Sequence, residues 1–190
     1  MALEQFLPIQ VFAFLLVFSR LAGTLMLLPG LGEAYVPPRV RLLFALLLSI
    51  IVAPLVSAIL PPEPGNIFLL FKLILAEIVI GIYIGIVARM LLLTLDSVGR
   101  FIALTIGMSN AEVFNPSIST QASLPGLLLT TMGVLILFST NMHHVLIMGI
   151  SESYTMFPVG VFLPTGDIAF VLARVLADSF RLALQISAPF

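Results

Sequence analysis

Residues 99–126 read GRFIALTIGMSNAEVFNPSISTQASLPG, and their character decides how the rest of the chain is read. The stretch begins apolar and then turns into small polar residues: Ser109, Asn110, Asn115, Ser117, Ser119, Thr120, Gln121 and Ser123. Pro116 and Pro125 interrupt it, and its charges are Arg100 at the start and Glu112 near the middle. On both sides the chain reads as hydrophobic helix. A long irregular segment in a compact protein is usually functional or disordered, and a solvated loop of this length would normally carry more charge. At membrane depth, non-helical backbone is tolerated only where protein buries it or where it lines a water-filled cavity. The stretch is therefore either a surface connection or something placed inside a passage.

Composition settles the broad class. The chain has 190 residues, of which 61% are hydrophobic and 9% charged, and its mean hydropathy is +1.23. Soluble domains carry about 25% charged residues, so this is an integral membrane protein or a subunit buried in a membrane assembly. Its length suggests one structural unit. The formal net charge of -1 gives nucleic acid no basic surface to bind. With no cysteine in the sequence, disulfides, iron–sulfur clusters and cysteine-based metal sites are excluded. Fifteen phenylalanines and no tryptophan suit apolar packing against protein as well as lipid.

Working outward, long helices are expected at about 6–28, 42–60, 67–95, 127–150 and 168–190, an all-α chain. Arg20 interrupts the first run. An intramembrane arginine costs roughly 2.5–3.5 kcal/mol on insertion scales, so it must be paired, reach the interface or face a polar interior. Residues 29–41, PGLGEAYVPPRVR, form a turn-rich loop, and Arg39 and Arg41 place it on the cytoplasmic side under the positive-inside rule. In the third run Glu77, Gly81 and Gly85 recur every four residues on one face, a small-xxx-small pattern that lets backbones approach. Residues 96–100 end that helix or join it to another. His143 and His144 are neighbours, about 100° apart on a helix, and cannot form a two-ligand metal face by themselves. In the last run Arg174, Asp178 and Arg181 stand at i,i+4 and i,i+3 spacing, which allows salt bridges.

Catalytic chemistry is missing. The sequence has no GxxxxGK[ST], HExxH or GxSxG motif, and no helical face carries a carboxylate pair. Ser151 near the two histidines lacks a group to orient a base. No enzyme, cofactor or metal site is expected. No inverted repeat is evident, which weakens a secondary-transporter reading.

The order of small motifs carries a resemblance. It runs Arg20; Pro29-x-Leu31-Gly32 and Pro37-x-Arg39; Glu77-x-x-x-Gly81-x-x-x-Gly85; Asp96-x-x-Gly99 leading into Gly107-Met108-Ser109; Asn115-Pro116; and Pro158-x-Gly160. Spread over nearly the whole chain, this pattern resembles the FliR family of flagellar and type III secretion export gates. Members of that family are usually longer, with a further hydrophobic segment beyond the position where this sequence stops. The resemblance implies an all-helical subunit, membrane-associated in the bacterial inner membrane at the flagellar basal body. It implies assembly with FliP-like and FliQ-like subunits and other membrane components of the export apparatus, in contact with lipid. The complex would be a gate that passes unfolded exported proteins. It also implies that much of the helical mass sits above the bilayer.

In that family the polar loop between the long hairpins contributes to the plug of the pore. The matching positions are residues 107–126, with Met108, Asn110, Phe114, Asn115 and Pro116 as constriction candidates. Arg20, Glu77, Gly81, Gly85 and Gly99 are the candidates for helix packing and assembly. Two other readings compete. One is a self-contained transporter with Glu77 and Arg20 or Arg89 in a coupling path; the other is a purely structural scaffold.

Overall fold

A computed structural model describes residues 2–57, 59–62, 64–108, 123–160 and 165–189. The described residues hold six α-helices and no strand: α1 (Ala2–Leu25), α2 (Pro38–Val56), α3 (Ile67–Thr105), α4 (Leu124–Ser139), α5 (Met142–Met156) and α6 (Thr165–Ser187). Helices α2 and α3 are each long and apolar enough to cross a membrane, whereas α4 and α5 reach that length only as a broken pair. The chain divides into two compact units, Met1–Ala88 with His144–Pro164, and Arg89–His143 with Thr165–Phe190.

In the first unit α1 is the central element. Phe12, Ala13, Leu16, Val17, Arg20, Leu21, Thr24 and Leu25 are all buried, and at about 100° per residue these positions wrap round well over half of the helix. Helix α2 packs on α1. It starts at Pro38, where proline's missing N–H is harmless and its φ suits a first turn. Its buried residues Ala45, Ser49, Ala53 and Val56 line up along one side and are small, which brings the two helices close. The other side, with Leu43, Leu47, Ile50 and Ile51, is exposed. The first part of α3 buries Leu73, Ala76, Glu77 and Ile80, the i, i+3, i+4, i+7 set of one helical face.

The loop between α1 and α2 is built rather than slack. Gly30 adopts a φ of 82°, the left-handed conformation that glycine takes without strain. Arg41 donates from Nε to the Val36 carbonyl at 3.1 Å and from Nη2 to the carbonyls of Val36 and Glu33. The Arg41 charge is thus directed at the loop's own backbone, which leaves Arg39 as the exposed member of the pair.

The second unit contains the last part of α3 with α4 and α6. Phe101 on α3 meets Phe180 on α6 edge to face, ring centroids 5.9 Å apart. Ala183 and Ser187 form the buried line of α6, and Arg174 sits 5.2 Å from the Phe170 ring centroid.

Two boundaries differ from the sequence reading. Helix α3 does not stop near residue 95 but continues through Asp96, Gly99 and Arg100 to Thr105. The run expected as one helix over 127–150 breaks at Thr140 and Asn141. Asn141 has a φ of 58°, and asparagine is among the few non-glycine residues that visit this region readily. His143 follows in the first turn of α5, its ring centroid 5.1 Å from that of Phe138.

Candidate functional site

Arg20 lies on the buried face of α1, with no exposed surface, and Glu77 on α3 is equally enclosed. The Glu77 carboxylate accepts from Arg20 Nε at 2.6 Å and from Nη2 at 3.0 Å, a two-point pairing that suits the planar guanidinium. Two further partners come from α5 and its C-terminal end. Nη1 donates to Ser153 Oγ at 3.2 Å, and Nη2 donates to the Phe157 carbonyl at 2.9 Å. Ser153 in turn donates to the Ile150 carbonyl at 2.6 Å, so its hydroxyl is used both ways. The Tyr154 ring covers the guanidinium at 3.9 Å, a cation–π contact shielded from water. One arginine thereby ties α1 to α3 and α5.

This arrangement answers what Arg20 does in an apolar helix. It neither reaches an interface nor faces water. Glu77 is neutralised and enclosed by the same contacts, an arrangement unsuited to a coupling path that needs an exchangeable carboxylate.

Glycines set the spacing around the pair. A Cβ on Gly81 would fall on the Arg20 carbonyl oxygen and lie 3.2 Å from the Arg20 Cα. A Cβ on Gly23 would meet the Ile78 carbonyl at 3.1 Å and the Ile82 nitrogen at 3.2 Å. The backbones of α1 and α3 therefore touch where Gly23 and Gly81 face each other's helices. One turn on, a Cβ on Gly85 would meet the Leu27 side chain at 2.8 Å and the Thr24 carbonyl at 3.0 Å.

In the second unit a separate contact joins the end of α3 to the start of α4. A Cβ on Gly99 would fall on the backbone of Gly126. A Cβ on Gly126 would come within 2.8 Å of both Asp96 Oδ1 and Ser123 Oγ. Ser123 is the N-cap of α4 and accepts from the Gly126 N–H at 3.2 Å, with Pro125 in the first turn. Asp96 is paired with Arg100 Nε at 2.9 Å, and its carboxylate stands beside the positive end of the α4 dipole. Gly99 thus sits inside a helix because the neighbouring helix leaves no room for a Cβ.

Of the constriction candidates, Met108 is described, 39% exposed, just beyond α3. Asn110, Phe114, Asn115 and Pro116 lie outside the described residues. Sequence reasoning missed Ser153, Tyr154 and the Phe157 carbonyl as partners of Arg20, and Gly23 and Gly126 as the counterparts of Gly81 and Gly99. The adjacent Ser153 and Tyr154 at the end of an apolar run were the available signal.

Comparison with known proteins places this architecture. Residues 11–190 match the model of the family described as bacterial export proteins, family 1. The chain belongs to that family. It is 35% identical over 180 residues to the flagellar biosynthetic protein FliR of Caulobacter vibrioides, covering 95% of this chain and 72% of that protein. Against the FliR of Bacillus subtilis the identity is 33% over 184 residues, covering 93% of this chain and 69% of that protein. The Yop proteins translocation protein T of Yersinia pestis is 36% identical over 97 residues, 51% of this chain and 37% of that protein. With its span-length apolar helices, the chain is a membrane-integral structural component of a flagellar-type, type III export apparatus, and a self-contained transporter is not favoured.

Proposed function

We propose that the chain supplies one helical wall of the export gate in the bacterial inner membrane and that residues 107–126 help to shut its pore. FliP-like and FliQ-like subunits are its neighbours, unfolded exported proteins pass through the assembly, and the chain performs no catalysis. The observation that carries this reading is the placement of the polar segment. It leaves a 39-residue apolar helix and enters another apolar helix at a point where Gly99 and Gly126 abut. Large exposed apolar side chains on the span-length helices, such as Leu47, Ile51, Phe68 and Phe71, support contact with lipid and neighbouring subunits. Met108 and Phe114 are apolar groups suited to a constriction that excludes water. The small polar residues of the segment suit a surface past which an extended chain slides without strong binding.

Shortening the segment within residues 110–122, with Ser123 kept as the cap of α4, is expected to raise small-ion conductance of the assembled gate several-fold. Planar-bilayer recording or ion flux in cells that express the complex measures it. Parent-like conductance in an assembled complex overturns the closure role.

A further inference from the structure

Resting on that reading, we infer that Asp96, Gly99, Ser123 and Gly126 form a clamp that sets where the chain leaves α3 and where it enters α4. These are positioning residues: they act on the segment through its two ends. Three observations converge on them. Gly99 lies against the Gly126 backbone and has no room for a Cβ, and a Cβ on Gly126 would crowd Asp96 Oδ1 and Ser123 Oγ, each at 2.8 Å. The partner atoms at Gly126 include the backbone carbonyl of Asp96, at 3.2 Å from a built Cβ, and backbone yields far less easily than the tip of a flexible side chain. The contact is also polar and directional. Ser123, 8% exposed, is held over the Gly126 N–H, and the Asp96 carboxylate lies against the same turn while paired with Arg100.

A plain helix crossing would need only the small residues. Here the N-cap of α4, its third helical residue and the α3 carboxylate all meet at one point. That point fixes the first turn of α4 in rotation as well as in distance. Beyond it α3 continues as helix from Arg100 to Thr105 and reaches Gly107, whose φ is 78°. Both anchors of the segment therefore depend on a single contact.

The absence of cysteine makes this directly measurable. Spin labels on Met108→Cys and Leu124→Cys, two exposed sites flanking the segment, report the spacing of its ends in the full chain within its assembled complex. Gly99→Ala is expected to shift that distance distribution to longer values and broaden it. Gly65→Ala and Gly149→Ala, where an added Cβ meets nothing within 4 Å, should leave it as in the parent. If Gly99→Ala does not accumulate, Ser123→Ala removes the cap without adding bulk and should broaden the distribution to a lesser degree. A parent-like distribution in the variant that accumulates overturns the clamp. Conductance separates this from the gate reading. If shortening residues 110–122 opens the pore and the clamp variants keep it tight with altered distances, the clamp does not position the closure and the inference fails. If the clamp variants alter the distances but shortening never raises conductance, the clamp stands and the closure role fails.

Discussion

Glu77→Ala is expected to prevent the chain from accumulating in folded form, and Arg20→Ala to do nearly the same. Each leaves one member of a fully buried ion pair without its partner. Removing one partner of such a pair costs about 3–5 kcal/mol, because an uncompensated charge remains in an apolar surrounding. Native domains are stable by roughly 5–15 kcal/mol, so one such substitution consumes a large part of the total. Glu77→Ala is the worse of the two, since it strands a guanidinium that has four hydrogen bonds in the parent. Glu77→Gln keeps the shape but sets an amide NH2 against an Arg20 N–H, and its effect falls between parent and Glu77→Ala. The informative variant is the double Arg20→Met, Glu77→Leu. Buried pairs are often replaceable by apolar residues of similar volume, so the double should be more stable than either single alanine. It should still fall short of the parent, because the Phe157 carbonyl loses its donor, worth about 1–3 kcal/mol if it stays unsatisfied. Thermal unfolding in detergent and yield of membrane-inserted chain give the ranking. Glu77→Ala with a parent-like melting temperature removes the structural role. A Glu77→Gln variant that assembles normally yet fails to export points back to a relay.

Much of this was legible in the sequence, and the rest was hidden for identifiable reasons. Arg20 announced that it needed a partner, because a lone charge in an apolar helix is expensive. Which partner could not be read, since Glu33, Glu77, Asp96, Glu152 and Asp178 all offer a carboxylate and only the fold brings Glu77 beneath Arg20. The four-residue spacing of Glu77, Gly81 and Gly85 marked a face, but nothing in periodicity says which helix meets it. Gly23 went unread because a single glycine in a helix carries no repeat. Residues 96–100 read as a helix end or a junction to another helix, with Gly99 a packing candidate whose partner nothing in the sequence names. That glycine is helical because Gly126 lies against it, a fact belonging to a residue 27 positions away in sequence. The break at Asn141 was invisible to hydropathy, which averages over the run and does not register one left-handed residue. The segment 109–122 is outside the described residues, and its role rests on its composition, its anchors and the family.

Gly81→Ala is the second substitution expected to be severe, and its effect is coupled to the first. The added methyl would land on the Arg20 carbonyl oxygen, with the Arg20 carbonyl carbon at 3.0 Å and Cα at 3.2 Å. These are backbone atoms, so the clash is relieved only by moving α1 away from α3. Overpacking alone typically costs about 1–3 kcal/mol. Here the displaced segment is the one that carries Arg20, and Glu77 lies one turn before Gly81 on the same face. Moving α1 outward therefore also stretches the 2.6 Å and 3.0 Å hydrogen bonds of the pair. The total should approach that of Glu77→Gln. Gly85→Ala should cost less, because its closest approaches, to the Leu27 Cβ at 2.8 Å and the Thr24 carbonyl oxygen at 3.0 Å, are crowded rather than overlapping, whereas a methyl at Gly81 lands on a backbone oxygen. Gly65→Ala, with nothing within 4 Å, should be close to neutral. The coupling is tested by combining Gly81→Ala with Glu77→Gln. If the methyl already breaks the pair, the two losses will sum to less than their separate values by more than the 0.3–0.5 kcal/mol or so within which independent sites add. Strict additivity would mean that the glycine spaces the helices without holding the ion pair in register. Arg20 and Glu77 would then owe their geometry to Ser153, Phe157 and Tyr154 alone.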